Sequence, residues 1–354
     1  MSLNVHAILH AEVLLRIRAA MWSGVLLLSI LWSASIASQT TDADATTAAA
    51  DEERYQLLAQ ELAERQALLA DMQSDQGVYG ASLVEAHSDL GALYSELGDP
   101  EGALRSYGEA LQLARINNGL HSSQQLAIID SMIAVHRDRA DWAEVDDLEH
   151  LSFHVSSRLH ERSDPAYFEA ASRFGEWRLR LIRQNLMGLS TNSRMNTAED
   201  LSAFYATILD EATQTQDPEA SDLARLLYGK TRADVAVAQV VAGTPYAAFQ
   251  GTVSRYVTQT RCRNVATPQG GVARECYQVQ VENPRYRQSQ REAKRFALMR
   301  YNRQINESLE QMRGIRDTGS NISADERQQL DNRIAELEIA TQEINRSGRR
   351  NFPF

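Results

Sequence analysis

Leu90-Gly91-Ala92-Leu93-Tyr94, followed by Ala103-Leu104-Arg105-Ser106-Tyr107-Gly108-Glu109-Ala110, is the stretch that decides the fold. Its first half continues a stripe of Leu83, Ala86, Leu90, Leu93, Tyr94 and Leu97 at three- and four-residue spacing, the period of one helical face. Gly98-Asp99-Pro100 stops that helix, with Asp99 as an N-cap and Pro100 at the first position of the next. The second helix presents Ala103, Tyr107, Ala110 and Leu111. Small residues at Gly91, Ala103 and Ala110 let two antiparallel axes approach, while Tyr94 and Tyr107 fill the space beside them.

The pattern recurs at 42 residues: Gly91 maps to Ile133 and then to Gly175. Around Ile133 the turn is Ala140-Asp141-Trp142, with Val145 and Leu148 on the second helix. Around Gly175 the first helix carries Ala171, Phe174, Trp177, Leu179 and Ile182. These residues resemble the tetratricopeptide repeat (TPR) family, in the long-period form found in kinesin light chains. The extra residues fall in the turn formers Asn117-Asn118-Gly119 and Ser163-Asp164-Pro165. The second repeat departs from the pattern, because Val145, Glu149 and Ser152 stand where Ala, an aromatic and Ala are expected. The third is matched only in its first helix, since Gly188, Ser190, Thr191, Asn192 and Ser193 interrupt the second. The resemblance spans residues 80–187 and implies an interaction surface rather than a catalyst.

A basic flank (Arg16, Arg18), a short apolar run (Val25–Trp32) and the exit Ser35-Ile36-Ala37 read as a secretory signal peptide over residues 1–37. The run is shorter than the roughly 20 residues of a membrane span. Cleaved export, to the periplasm of a bacterial envelope, is therefore expected over an uncleaved inner-membrane anchor. Residues 38–50 read as a disordered Thr/Ala/Asp-rich linker, 51–242 as the all-α repeat domain, and 243–284 as an irregular or β-hairpin segment. Residues 285–347 read as a helical hairpin and 348–354 as a tail. The chain carries net charge −11, yet residues 255–316 hold 13 Arg and Lys against five Glu. An acidic solenoid is thus joined to a basic segment.

Cys262 and Cys276 flank Pro268-Gln269-Gly270-Gly271, a turn signal. A hairpin folded about residue 269 opposes the two cysteines, and also Arg263 with Glu275, Val257 with Val281 and Arg261 with Tyr277. A structural disulfide follows, worth on the order of 3 kcal/mol. The rivals are free thiols and a redox pair, the latter without Cys-x-x-Cys spacing. Further on, Leu298, Tyr301, Ile305, Leu309, Met312 and Ile315 form one stripe; Ser323-x-x-Glu326 is a capping box before Leu330, Ile334, Leu337 and Ile344. Such a pair of helices seals a solenoid or self-associates as a coiled coil.

No Gly-x-Ser-x-Gly, Walker, Rossmann or zinc-finger spacing is present, so the reading is of a non-enzyme with no cofactor. His150 and His154 share a helical face with Asp146, but a solvated face explains them better than a metal, and no metal site is assigned. The Arg-rich 285–303 stretch interleaved with Tyr286, Phe296 and Tyr301 superficially suits nucleic acid, which an exported chain rarely meets; nucleic acid is not assigned as a partner.

In tetratricopeptide arrays the first helices line the concave face. Alignment on Gly91, Ile133 and Gly175 assigns that face to Glu85, Ser88 and Glu96, then Asp130, Arg137 and Asp138, then Glu169, Glu176 and Arg180. This groove reads as acidic, so a basic peptide or protein partner is expected on it. The other reading is an envelope-polymer binder, with Arg285, Arg287, Arg291, Lys294 and Arg295 contacting anionic lipid or glycan. Mass measurement of the mature protein from its native host should find an N-terminus near Ser38; an intact Met1 would argue against export.

Overall fold

The computed structural model describes residues 50–214, 219–319 and 322–350, with side chains to 346. The expected signal peptide, nearly all of the linker and most of the short tail lie outside the described residues. Contacts divide the chain into two units, 1–110 and 111–354.

In the first unit, α1 (residues 50–76) runs antiparallel to α2 (Leu83–Glu96). Ion pairs of Arg54 with Glu96 at 3.3 Å and Arg65 with Asp89 at 3.2 Å fix that direction, and the Gln66 amide donates to the Tyr94 hydroxyl at 2.6 Å. Asp99 caps α3 (Pro100–Asn118): its Oδ1 accepts from the Gly102 amide at 2.9 Å. Gly98 at φ +73° takes the left-handed turn between the helices. A Cβ on Gly91 would sit 2.6 Å from the Tyr107 ring, so the absence of a side chain sets the α2–α3 distance.

In the second unit, α4 (Ser123–Asp138) pairs with α5 (Trp142–Leu159), then follow α6 (Pro165–Gln184), α7 (Thr191–Thr213) and α8 (Ala220–Gly243). Asp164 caps α6 by accepting from the Ala166 amide at 2.9 Å, with Pro165 at the first position. The polar run at 188–193 does not abolish the second helix of repeat three. It delays it: Gly188 at φ +61° makes the turn, and Ser190 caps α7 by accepting from the Ser193 amide. Tyr205 of α7 then takes the place beside Gly175 that Tyr107 takes beside Gly91. Gly229 of α8 meets the hydroxyl end of the same ring along its other edge.

α8 is buried almost all round, with Leu226, Ala233, Val237, Ala238 and Val241 no more than 1% exposed. It buries one side on α6 and α7 and the other on the C-terminal helices. A short 3-10 turn (Tyr246–Ala248) leads to strands β1 (Tyr256–Ala266) and β2 (Val272–Glu282), an antiparallel ribbon. The register is the expected one, with Cys262 opposite Cys276 in a disulfide, Arg263 opposite Glu275, Val257 opposite Val281 and Arg261 opposite Tyr277.

α9 (Tyr286–Thr318) and α10 (Ala324–Arg350) form the C-terminal hairpin. The capping box is complete: the Ser323 amide donates to Glu326 at 2.9 Å and the Glu326 amide to the Ser323 hydroxyl at 3.2 Å. Leu298, Tyr301, Ile305, Leu309 and Met312 share one core with Leu330, Ile334, Leu337 and Ile344 and with α8. That stripe, which could have served self-association, is therefore spent inside the chain.

The glycine contact carries a direct test. Gly91→Ala should destabilise by about 1–3 kcal/mol in thermal or urea unfolding, because Tyr107 must move. Gly108→Ala, where an added Cβ meets nothing within 4 Å, should be neutral or slightly stabilising.

Candidate functional site

A recess of about 230 Å³ opens between α4, α5 and α6. α4 contributes Asp130, Ile133 and Arg137; α5 contributes Glu149; α6 contributes Arg173, Glu176, Trp177 and Arg180. The spacing 173, 176, 177, 180 puts the α6 residues on one helical face. A second recess of about 630 Å³ shares Glu176 and Arg180 and continues over Leu179, Arg183, Gln184 and Arg232 of α8.

Of the positions given by the repeat alignment, Asp130, Arg137, Glu176 and Arg180 line these recesses. Asp138 is exposed at the end of α4 and lines neither recess; exposed Glu169 lies near the start of α6. In the first unit, Glu85 is exposed, the Ser88 hydroxyl donates to the Val84 carbonyl at 2.9 Å, and Glu96 is held by Arg54.

The acidic character expected of this face requires correction within the second unit. Each carboxylate in the recesses already has an arginine. Asp130 meets Arg173 at 3.1 Å, Glu149 meets Arg137 at 3.6 Å, and Glu176 meets Arg232 at 3.8 Å. Arg173 also donates to Ser152, and half-buried Arg232 lies over the Tyr228 ring at 5.2 Å. Arg180 and Arg183 are exposed, and among the described residues neither has a carboxylate within ion-pairing distance. Five arginines against three paired carboxylates leave a surplus of positive charge. Arg173 and Arg183 were missed because the alignment carried over only a few positions of α6, whose face continues in both directions, and Arg232 because it stands on α8, outside the aligned first helices.

Glu149 stands sixteen residues after Ile133, as Tyr107 stands sixteen after Gly91. The carboxylate therefore occupies the slot an aromatic fills in the first repeat. It is 6% exposed, and burial pushes its pKa up while Arg173 and Arg137 pull it back down. The mismatch with the repeat pattern was the sequence signal for this residue.

The His150, His154 and Asp146 face is otherwise engaged. Asp146 accepts from the Trp177 indole at 2.8 Å and from Arg178 at 3.1 Å. His150 packs edge-on to Phe174 at 4.7 Å, and His154 lies 5.5 Å from the His121 ring. Among the described residues no three His, Cys, Asp or Glu side chains gather where they could hold a metal, and no helix is long and apolar enough to cross a membrane.

The basic segment also divides. Arg285, Arg287, Arg291 and Arg295 are exposed, Arg291 lying over the Tyr246 ring at 4.8 Å. Lys294 is instead 3% exposed and donates to the Ala242 and Thr244 carbonyls at 2.9 and 2.7 Å. It neutralises the C-terminal end of α8, and burial lowers its pKa. Lys294 thus belongs to the packing between α8 and α9 rather than to a surface patch.

The fold defined by these helix pairs is a TPR-like solenoid. Among solved structures, nearly identical TPR-like repeats of a Podosopora anserina kinesin light chain are similar to it at 10% identity and a TM-score of 0.38, over 53% of this chain and 83% of theirs. A single-substitution variant of the same protein gives 10% identity and a TM-score of 0.37 with the same coverage. Likeness of this degree carries no residue roles across. No family model and no curated protein matches the sequence.

Glu149 yields a pH prediction. A carboxyl whose pKa is raised on folding contributes stability below its unperturbed value of 4.5 and loses it as pH rises through the folded value. Glu149→Gln should therefore gain in Tm over the parent as pH rises from 4.5 to 8, and the two should converge at pH 4. A parent that outlasts Glu149→Gln at pH 8 would mean that the arginine pairing outweighs burial.

Proposed function

We propose that this protein is an interaction scaffold that holds an acidic polypeptide segment along α4, α6 and α8. The observation that carries this reading is the pair of exposed arginines, Arg180 and Arg183, in a continuous recess whose carboxylates are all engaged. An incoming carboxylate meets guanidinium groups ready to donate two parallel hydrogen bonds each, with no ion pair of Arg180 or Arg183 to break. A lysine-rich segment would have to compete for carboxylates already paired at 3.1 to 3.8 Å. Trp177 and Leu179 supply apolar floor beside the charges, which favours a polypeptide over a free ion.

The same reading places the scaffold outside the cytoplasm. It rests on the basic-apolar-small order of residues 1–37 and on a disulfide whose persistence calls for an oxidising compartment. A bacterial periplasm is the compartment that fits both.

Titration of the intact protein with fluorescent Glu-rich and Lys-rich peptides tests the charge of the site. The Glu-rich peptide should bind more tightly, weaken with added salt, and lose at least about tenfold in affinity in the Arg180→Glu/Arg183→Glu variant. Tighter binding of the Lys-rich peptide would restore the acidic-groove reading. Equal loss with Arg303→Glu, on exposed α9 surface, would show only a general charge effect.

A further inference from the structure

The ribbon of β1 and β2 is exposed on both faces over nearly its whole length, although a two-stranded ribbon in water is marginal by itself. The disulfide, the Arg263–Glu275 ion pair at 2.9 Å and the Arg263 guanidinium over the Tyr277 ring hold it together without a core. We propose that the outer edge of β2 pairs with the same edge of a second copy of this chain, about a twofold axis at Gln278.

Backbone parity supplies the first argument. The Asn283 amide donates to the Arg255 carbonyl and the Thr267 amide to the Gly271 carbonyl, both at 2.8 Å, at the two ends of the ladder. In this register the odd-numbered residues bond across the ribbon, and the even-numbered residues of β2 turn N–H and C=O outward. A second β2 laid antiparallel about Gln278 matches even to even: Gln278 to Gln278, Cys276 to Gln280, Arg274 to Glu282. Every outward group between 274 and 282 then finds a partner, on the order of ten hydrogen bonds.

Side chains supply the second argument. Arg274 and Glu282 lie on one face, are exposed, and take part in none of the ion pairs of the ribbon. The axis at Gln278 sets each opposite the other, once at each end of the ladder. On the opposite face it places Tyr277, 44% exposed, beside Val279 of the second copy, an aromatic–branched pair of the kind that stabilises cross-strand contacts. Moving the axis by one residue in either direction slides the strands by two and leaves Arg274 and Glu282 without each other.

The β1 edge shows the converse. It carries Arg261 and Arg263 with no carboxylate anywhere between Tyr256 and Ala266, so no self-pairing of β1 joins unlike charges. Charged edges of one sign are how sheets refuse partners. β1 gains no charge pair against its own copy and β2 is self-complementary, the arrangement of a closed twofold contact.

Sedimentation equilibrium of the intact, oxidised protein should show a monomer–dimer equilibrium. Arg274→Glu or Glu282→Arg should each raise the dissociation constant at least about tenfold, and the double exchange should restore it. Gln278→Pro, which removes an outward N–H and spares the β1 ladder, should also dissociate the dimer. A monomer at every concentration, a dimer indifferent to these changes, or no rescue by the double exchange would overturn the pairing. Monomers that instead sediment with phosphatidylglycerol vesicles, and lose this in Arg274→Glu, would give the edge to an anionic surface and overturn it equally.

Discussion

The ring of Tyr205 lies between two glycines, Gly175 of α6 and Gly229 of α8, and the architecture of the second unit follows from that contact. A methyl group at either position would overlap the ring, so the three helices meet at a distance that only hydrogen in place of a side chain allows. The close approach of α6 and α7 to one side of α8 leaves α8 with an apolar opposite side, and α9 and α10 cover it. The C-terminal hairpin is therefore continuous with the repeat array through a shared core. Gly91 and Tyr107 make the same kind of contact in the first unit.

Where the repeat pattern is broken, the chemistry changes. Glu149 enters an aromatic slot and turns a packing position into the buried wall of a recess, held there by arginines from α4 and α6. Asp234 shows another buried carboxylate, 0% exposed, satisfied by Lys230 at 2.6 Å and by the Ser202 hydroxyl at 2.5 Å. Burial alone would push both groups toward neutrality, and neighbouring cations act in the other direction. The difference between the two sites is access: Asp234 is sealed among α7 and α8, while Glu149 borders a cavity.

The ribbon obeys a different logic from the helices. It draws little from burial, and it is stabilised across its own strands by a covalent link, one ion pair and a guanidinium over a tyrosine ring. A structure assembled in that way can extend from a helical body without a hydrophobic face of its own. Its edges are then free to discriminate by charge, β1 through arginines of one sign and β2 through an arginine and a glutamate four residue pairs either side of Gln278.

Local patterns were legible in the sequence because they depend on neighbours along the chain. Helical period, the caps at Asp99 and Asp164, the Ser323–Glu326 box and the hairpin register about Gln269 all follow from residues within a few turns or one hairpin of each other. The small-residue positions of the repeat were legible too, since a glycine at the same offset marks a close approach. What the sequence could not decide was the net character of a surface to which several helices contribute. Counting carboxylates on first helices made the groove acidic, but Arg173 and Arg232 reach those carboxylates from elsewhere on α6 and from α8. Lys294 read as surface charge because its partners, the carbonyls closing α8, lie some fifty residues away in the chain. Electrostatics acts through space over a few ångströms, and only tertiary packing determines which charges fall within that reach.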